Sequence, residues 1–324
     1  MKKNIAIIMG GYSSEYEISM ESGKVVFDVL DKNKFNCFRV VILKNKWFYI
    51  NSKNQEITID KKSFTLKLNN KLVKFDCVFN AIHGSPGEDG EIQSYFEKLS
   101  IPITGCGAFQ SKITYDKIKC LNYLKEFDVK SADSISLNIN EKVDIDKVIK
   151  KVGLPCFVKA SKSGSSYGIS KVYRAEEFEN AMKTAFNEDS DILIESSLDG
   201  IEVSVGVISF QGEIICLPIT EIVSHNDFFD YDAKYKGKSS EITPARISNQ
   251  MRSLVTKESL KIYKSMGLKG LSRSEFIFKN KVPYLLEVNT VPGLTKKSIL
   301  PQQVKLAGIS LTDLFESLID EALN

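Results

Sequence analysis

The chain has 324 residues, 43% of them hydrophobic and 26% charged, with a formal net charge of +3 from 44 basic and 41 acidic residues. This length exceeds what one ordinary core supports, so two or three domains are expected, and the balanced charge argues against a nucleic-acid or membrane footprint. The six cysteines, at 37, 77, 106, 120, 156 and 216, show no C-x-x-C spacing and no pairing with histidine, which excludes a zinc or disulfide pattern and fits a reducing cytosol. No run approaches the ~18 apolar residues of a membrane span, and the short apolar start after MKK reads as a strand and turn rather than a signal peptide.

The elements follow in chain order. A strand at Asn4–Met9 leads through a Gly10–Gly11 turn into a helix with apolar positions Ile18, Val25, Val26, Val29 and Leu30; Ser14-x-x-Glu17 predicts a capping box at its start. A strand at Phe38–Leu43, meandering β pieces over 46–73 and a strand at Phe75–Ile82 follow, ending at His83 and the loop GSPGEDG. A helix at Glu91–Leu99 and a short strand at Ile101–Thr104 complete an open α/β sheet over 1–104, with its ligand edge at the strand C-termini. A second unit, 105–190, carries helices at Thr114–Phe127, Val143–Val152 and Glu176–Phe186 and a strand pair around SKSGSSYG. The third, 191–324, is strand-rich: Asp191–Glu195, Glu202–Phe210, Glu213–Val223 and a hairpin joined at Lys279–Lys281, with two closing helices near Ser298–Ala307 and Thr312–Leu323. A long irregular stretch, Ser224–Arg246, has the length of a functional lid.

The hairpin is the most informative stretch. Glu287 and Asn289 are two apart on a strand, so they share a face, and a chain reversal brings Glu275 to the same face. Three oxygen-bearing side chains in apolar surroundings suit Mg²⁺; polar residues on a solvent face are the alternative. Arg273 shares that face, either toward developing negative charge or in a salt bridge with Glu275 or Glu287. The Gly/Ser loop Ser163–Gly168 either closes over phosphates or is a plain hairpin turn. Lys159 stands in an apolar strand and requires an anion, whereas Lys117 fits equally a helix surface. Glu195 ends a strand as a nucleotide contact or as a solvated end. Glu15, just past the glycine turn, is a counter-ion for a substrate ammonium or a helix cap. His83 is a substrate-binding or catalytic candidate or a loop anchor, and His225 reads as a surface residue.

Taken in order, MGGYSSEYEIS, IHGSPGEDG, TYDK, FVKASKSGSSYGISKV, LIESSLDGIE, FFDYDAKY, GLSRSEF and LLEVNTVPGLTKKSILPQQ resemble the D-alanine–D-alanine ligases of the ATP-grasp superfamily over essentially the whole chain. The resemblance implies an α/β fold of three domains, an N-terminal open parallel sheet and two antiparallel-sheet domains sandwiching ATP. It implies that Lys117, Lys159 and Glu195 contact the nucleotide, Glu202 the ribose and Lys234 the phosphates. Glu15 then lies near the first substrate's ammonium, in a hydrogen-bond network with Ser165 and Tyr235 that ties the mobile loop to the N-terminal domain. Arg273 and the Gly293 amide face the oxyanion, Ser298 takes the second substrate's carboxylate, and Glu275, Glu287 and Asn289 ligate Mg²⁺ or Mn²⁺, two ions per site. Glu275 stands where the family usually has Asp, and Ala160 where it often has Pro.

The activity implied is ATP-dependent joining of two D-alanine molecules through an acyl phosphate, for peptidoglycan precursors, by a cytoplasmic homodimer without nucleic-acid or membrane partners. D-Alanine–D-lactate or D-alanine–D-serine ligation is the near alternative, with Tyr235 favouring the dipeptide over the D-lactate product. A nucleotide-binding regulator without turnover is the alternative of a different class.

Overall fold

The computed structural model describes residues 2–164, 167–224 and 239–324. Lys3–Gly10 (β1) forms the middle of the first sheet. From Ile5 onward every residue of this strand is buried, as expected where both faces are covered. Phe35–Ile42 (β2) and Cys77–Asn80 (β7) run parallel to it on either side. Beyond β2 the chain turns back on itself as an antiparallel meander of Trp47–Ile50 (β3), Glu56–Asp60 (β4), Thr65–Leu68 (β5) and Lys71–Val73 (β6), in the order β6-β5-β4-β3-β2-β1-β7. The sheet is therefore mixed: its β2-β1-β7 end is the expected open parallel sheet, and the meandering pieces over 46–73 extend it as antiparallel strands. Ile101–Thr104 contributes one isolated bridge, Val78 to Ile103, and no full strand.

The glycine turn after β1 has φ of +97° at Gly10 and +101° at Gly11, a backbone that side chains resist. Tyr16–Val29 (α1) follows, without the expected capping box: its N-cap is Glu15, and no side chain caps it. Glu91–Leu99 (α2) covers the opposite face of the sheet, where Phe96 meets Phe64 edge-on at 4.7 Å between ring centroids.

The expected helix over Thr114–Phe127 is two helices, Ala108–Tyr115 (α3) and Lys117–Lys125 (α4). The break is Asp116, whose extended backbone lets its carboxylate accept from the amide of Lys119 at 3.2 Å. The same oxygen accepts from Ser161 Oγ at 2.8 Å, while the amides of Lys117 and Ile118 donate to Ser161 O and Oγ. One residue thus caps a helix and fastens it to the strand before the Gly/Ser loop.

Ser134–Asn138 (β8), Cys156–Ala160 (β9), Ser170–Val172 (β10) and Asp191–Ser196 (β11) make a four-stranded antiparallel sheet in the order β10-β9-β11-β8. Ile145–Val152 (α5) and Phe178–Phe186 (α6) back it with Val148, Val152, Phe178 and Ala181.

The third sheet is built from Ile201–Phe210 (β12), Glu213–Cys216 (β13), Thr220–Ser224 (β14), Ser239–Ile242 (β15), Leu271–Lys279 (β16) and Val282–Asn289 (β17), in the order β15-β14-β12-β16-β17 with β13 on β12. The single strand expected at Glu213–Val223 is two, because β13 pairs with the last residues of β12 and β14 with its first. Asn249–Ser265 (α7) was not anticipated, although Met251, Val255, Ser259 and Ile262 recur at helical spacing and Ser248 caps it through the Met251 amide. Ile299–Leu306 (α8) and Leu311–Leu323 (α9) return to the first sheet: Leu300, Val304, Phe315 and Ile319 share a core with Ile5, Ile7 and Met9.

Asp116→Ala removes a cap and leaves Ser161 Oγ without its acceptor. Urea unfolding is expected to show a loss of about 1–2 kcal/mol. A change below about 0.5 kcal/mol, within the range of ordinary surface substitutions, contradicts the bracing role.

Candidate active site

The β16–β17 hairpin turns at Asn280 and Lys281, both with positive φ (53° and 65°), as a two-residue hairpin turn requires. Its register sets Arg273 opposite Asn289 and Glu275 opposite Glu287, so all four side chains share one face. The register shifts immediately beyond, between Glu275 and Phe276. Ser204 of β12 lies opposite Glu275 on the other side, and Glu202 two residues along shares that face.

Those four residues line a cavity of ≈ 290 Å³ together with Glu15, His83, Lys117, Gly293 and Ser298. The structure therefore brings together residues from both ends of the chain. Arg273 Nη2 lies 2.9 Å from Glu275 Oε1, both largely buried, and Glu287 Oε2 lies 3.6 Å from Lys117 Nζ. Lys117 is 7% exposed and opens α4, a helix end where a cation is disfavoured by the dipole; its ammonium donates to Ser163 O at 2.7 Å. That bond holds the first residue of the Gly/Ser loop. Gly164 then lies so close to Glu15 that a Cβ there would fall 2.7 Å from Glu15 Oε2. Ser298 Oγ sits 2.9 Å from Thr295 Oγ1 at the start of α8.

His83 is an anchor between distant segments. Its Nδ1 donates to Val291 O at 2.9 Å, and its Nε2 lies 2.8 Å from Ser22 Oγ, which also accepts from the Leu294 amide. Both ring nitrogens are therefore held by protein groups. Glu88 Oε1 stands 3.8 Å from Nδ1, an ion-pair distance too long for a hydrogen bond. Burial opposes charge on the imidazole, but the carboxylates of Glu88 and Glu15 and the Val291 carbonyl together raise its pKa above 6.5. Burial likewise pushes the Glu88 carboxyl up, with Glu15 adding to the rise and His83 opposing it.

Of the expected nucleotide contacts, Lys117 lines this cavity, whereas Lys159, Glu195 and Glu202 lie outside its lining. Lys159 and Glu195, each 6% exposed, are diagonal neighbours on β9 and β11 with Nζ 2.5 Å from Oε1. The anion that Lys159 required is thus supplied by the protein itself. Glu202 lies on the same sheet face as Glu275, again outside the lining. Ser165, His225, Lys234 and Tyr235 fall outside the described residues. Sequence reading passed over three acids that line the cavity, Glu21, Glu88 and Glu241. Glu88 carried a signal, an acid five residues past His83 in a glycine-rich loop; Glu241, inside the irregular stretch, carried none.

The donor set fits a hard divalent cation: two carboxylates and an amide oxygen on one sheet face. Glu275 Oε1 is buried with the Arg273 guanidinium beside it but in no hydrogen-bond geometry, and Asn289 Oδ1, which accepts from the Val291 amide at 2.9 Å, keeps a second lone pair. The ammonium groups of Lys117 and Lys159, beside a glycine-rich loop, fit a polyphosphate.

Both raised groups hold protons in the folded chain that the unfolded chain releases. The His83 contribution is complete below pH 6.5 and is lost as pH rises through the folded pKa; the Glu88 penalty is absent below pH 4.5 and complete above its folded pKa. Melting temperatures of the protein and its His83→Gln variant between pH 6 and 9 are expected to converge as pH rises, and a pH-independent gap contradicts this. Gly164→Ala is expected to lower turnover at least about tenfold with little loss of melting temperature, since its methyl meets Glu15 at the cavity wall and not the core. Turnover within twofold of the parent contradicts the close approach as a functional contact.

Comparison with known proteins agrees with this geometry. Residues 4–106 match the D-ala D-ala ligase N-terminus family and residues 124–320 the D-ala D-ala ligase C-terminus family. The D-alanine–D-alanine ligase of Flavobacterium johnsoniae is 54% identical over 321 residues, 99% of each chain. The VanG D-Ala:D-Ser ligase of Enterococcus faecalis superposes with a TM-score of 0.87 at 29% identity over 99% of each chain. The Bacillus anthracis D-alanine–D-alanine ligase complexed with ATP superposes with a TM-score of 0.78 at 29% identity, over 99% of this chain and 97% of that one. With both its parts matched and a relative of this identity over nearly its whole length, the chain belongs to the D-alanine–D-alanine ligase family.

Proposed function

We propose that this protein is an ATP-dependent ligase that joins two molecules of D-alanine into D-alanyl-D-alanine for peptidoglycan precursor synthesis. The observation that carries the reading is the sheet face on which Arg273, Glu275, Glu287 and Asn289 stand, in one cavity with Glu15 and Lys117. ATP transfers its γ-phosphoryl group to the carboxylate of the first D-alanine, giving an acyl phosphate and ADP. The amine of the second D-alanine attacks the acyl carbon, phosphate leaves with the bonding pair, and the amine gives up its proton. Joining two free amino acids in water is uphill, so activation precedes bond formation.

In this reading Glu15 receives the first substrate's ammonium, with Ser165 and Tyr235 holding the loop over it. Lys117, Lys159 and Lys234 hold the nucleotide's phosphates, and Glu195 and Glu202 its adenosine. For Lys159 this means exchanging part of its contact with Glu195 for the nucleotide. Arg273 and the Gly293 amide stabilise the oxyanion, and Ser298 receives the second substrate's carboxylate. Glu275, Glu287 and Asn289 hold Mg²⁺ or Mn²⁺, two ions per site, which neutralise charge developing on the phosphates. His83 keeps the substrate pocket in shape through Val291 and Ser22. Keeping water from the acyl phosphate falls, in this reading, to the stretch that joins β14 to β15. We assign the three units 1–104, 105–190 and 191–324, a cytoplasmic location and a homodimer to this reading. Among the described residues no helix is long and apolar enough to cross a membrane.

A second reading is D-alanine–D-serine ligation, favoured by the likeness to the D-Ala:D-Ser ligase; D-lactate as acceptor and a regulator without turnover are further outcomes of the same test. Product chromatography with D-alanine, ATP and Mg²⁺, each reaction repeated with D-serine or D-lactate added, is expected to give D-alanyl-D-alanine as the main product. A mixed product in excess overturns the assignment of the second substrate, and absence of D-alanine-dependent phosphate release overturns catalysis. Glu287→Ala is expected to lower turnover by at least about 1,000-fold while the protein stays folded by circular dichroism. Near-normal turnover sinks the metal assignment.

A further inference from the structure

Three carboxylates that line the cavity, Glu21, Glu88 and Glu241, have no part in the reaction as proposed, and of these Glu241 stands on the sheet. Glu241 of β15 lies opposite Ile222 of β14, which lies opposite Glu202 of β12, so it shares the sheet face that carries Arg273 and Glu275. It lines the cavity alongside Lys297, Ser298 and Ile299. Its Oε2 accepts from Gln302 Nε2 at 3.2 Å, and the same amide nitrogen donates to Lys297 O at 3.0 Å. Both hydrogens of that amide are used, so Gln302 fastens Glu241 to the turn at whose end Ser298 begins α8.

The anchor is neutral. Among the described residues Glu241 forms no ion pair, unlike Glu275 with Arg273 and Glu287 with Lys117. Burial raises its pKa above the usual carboxylate value; Gln302 and then Arg273 oppose the rise and Glu275 adds to it. A partly buried carboxylate held by an amide, in a cavity wall, is suited to a cationic ligand group. The proposed second substrate carries one: an amino acid presents an ammonium, and a hydroxy acid of the same shape presents a hydroxyl.

Resting on the ligase reading above, we propose that Glu241 determines acceptor specificity: its carboxylate receives the ammonium of the second amino acid while the Ser298 end of the same wall receives its carboxylate. The pairing makes the cavity favour an amino acid over a 2-hydroxy acid as acceptor. It is a binding contact, and the proton lost on attack is not assigned to it.

The test is steady-state ADP release with ATP, Mg²⁺ and D-alanine, which yields separate KM values for the two alanines, and product chromatography with D-alanine and D-lactate competing. For Glu241→Gln, which keeps shape and the Gln302 contact, KM for the second D-alanine is expected to rise at least about tenfold. The KM values for ATP and the first D-alanine stay within twofold, and the ratio of D-alanyl-D-lactate to dipeptide rises by a similar factor. Glu241→Asp, which keeps the charge, is expected to restore most of the parent product ratio. An unchanged ratio in Glu241→Gln overturns the proposal. So does an equal rise in all three KM values, which a purely structural role gives. If Glu241→Gln does not fold, Gln302→Met, which frees the carboxylate from its anchor, must shift the ratio the same way or the proposal falls. Parent protein without D-alanine-dependent ADP release overturns the ligase reading itself, and with it this one.

Discussion

The register of β16 on β17 is the constraint on which the site depends. Arg273 opposite Asn289 and Glu275 opposite Glu287 is an arrangement of four polar side chains on one face, flanked by strands whose other face is core. A slip of β17 by one residue would turn Glu287 and Asn289 toward the core and bring the apolar Val288 into the cavity. The irregularity between Glu275 and Phe276 is confined to the point where the polar pairs end. From there the hairpin continues as ordinary buried sheet to its turn at Asn280 and Lys281.

That face becomes a site only because the rest of the chain is brought to it. α8 and α9 pack on the first sheet, sharing a core with Ile5, Ile7 and Met9, and so carry the Thr290–Ser298 segment to the strand ends of β1 and β7. His83 joins the two regions through Val291, and Ser22 joins them again through the Leu294 amide. The contacts are between residues 208 and 272 positions apart, so the cavity cannot exist in either part alone. The buried charges follow the same logic. Lys159 with Glu195, Arg273 with Glu275 and His83 beside Glu88 are each kept from standing alone in low dielectric. A polar ligand entering such a site meets groups already oriented, at little cost in reorganisation.

Much of the site was legible because it is local. Glu287 and Asn289 share a face by strand alternation, Arg273 and Glu275 do the same one strand earlier, and the hairpin joining them is short. Lys159 in an apolar strand announced a need for an anion, but not that Glu195 answers it, since the β9–β11 pairing crosses more than thirty residues. Glu241 left no mark on the sequence: its role comes from β15 pairing with β14 and from Gln302 on a distant helix. The break at Asp116 was missed for a similar reason. The local pattern continues as helix, and the competing hydrogen bond to Ser161 comes from another element. The helix Asn249–Ser265 was a plain omission, since its spacing was readable.

By itself the sequence determined the α/β class, the carboxylate-bearing hairpin and the ordered set of motifs that resembles the family, because each depends on spacing within a few residues; the two antiparallel sheets followed from that resemblance. Only the tertiary structure decided that the first sheet is mixed. It also decided that His83 has both nitrogens committed, that Lys159 and Glu195 hold each other, and that Glu88 and Glu241 stand in the cavity wall. These outcomes depend on which distant strands and helices meet, and burial then forces each charged group to the nearest partner that meeting supplies.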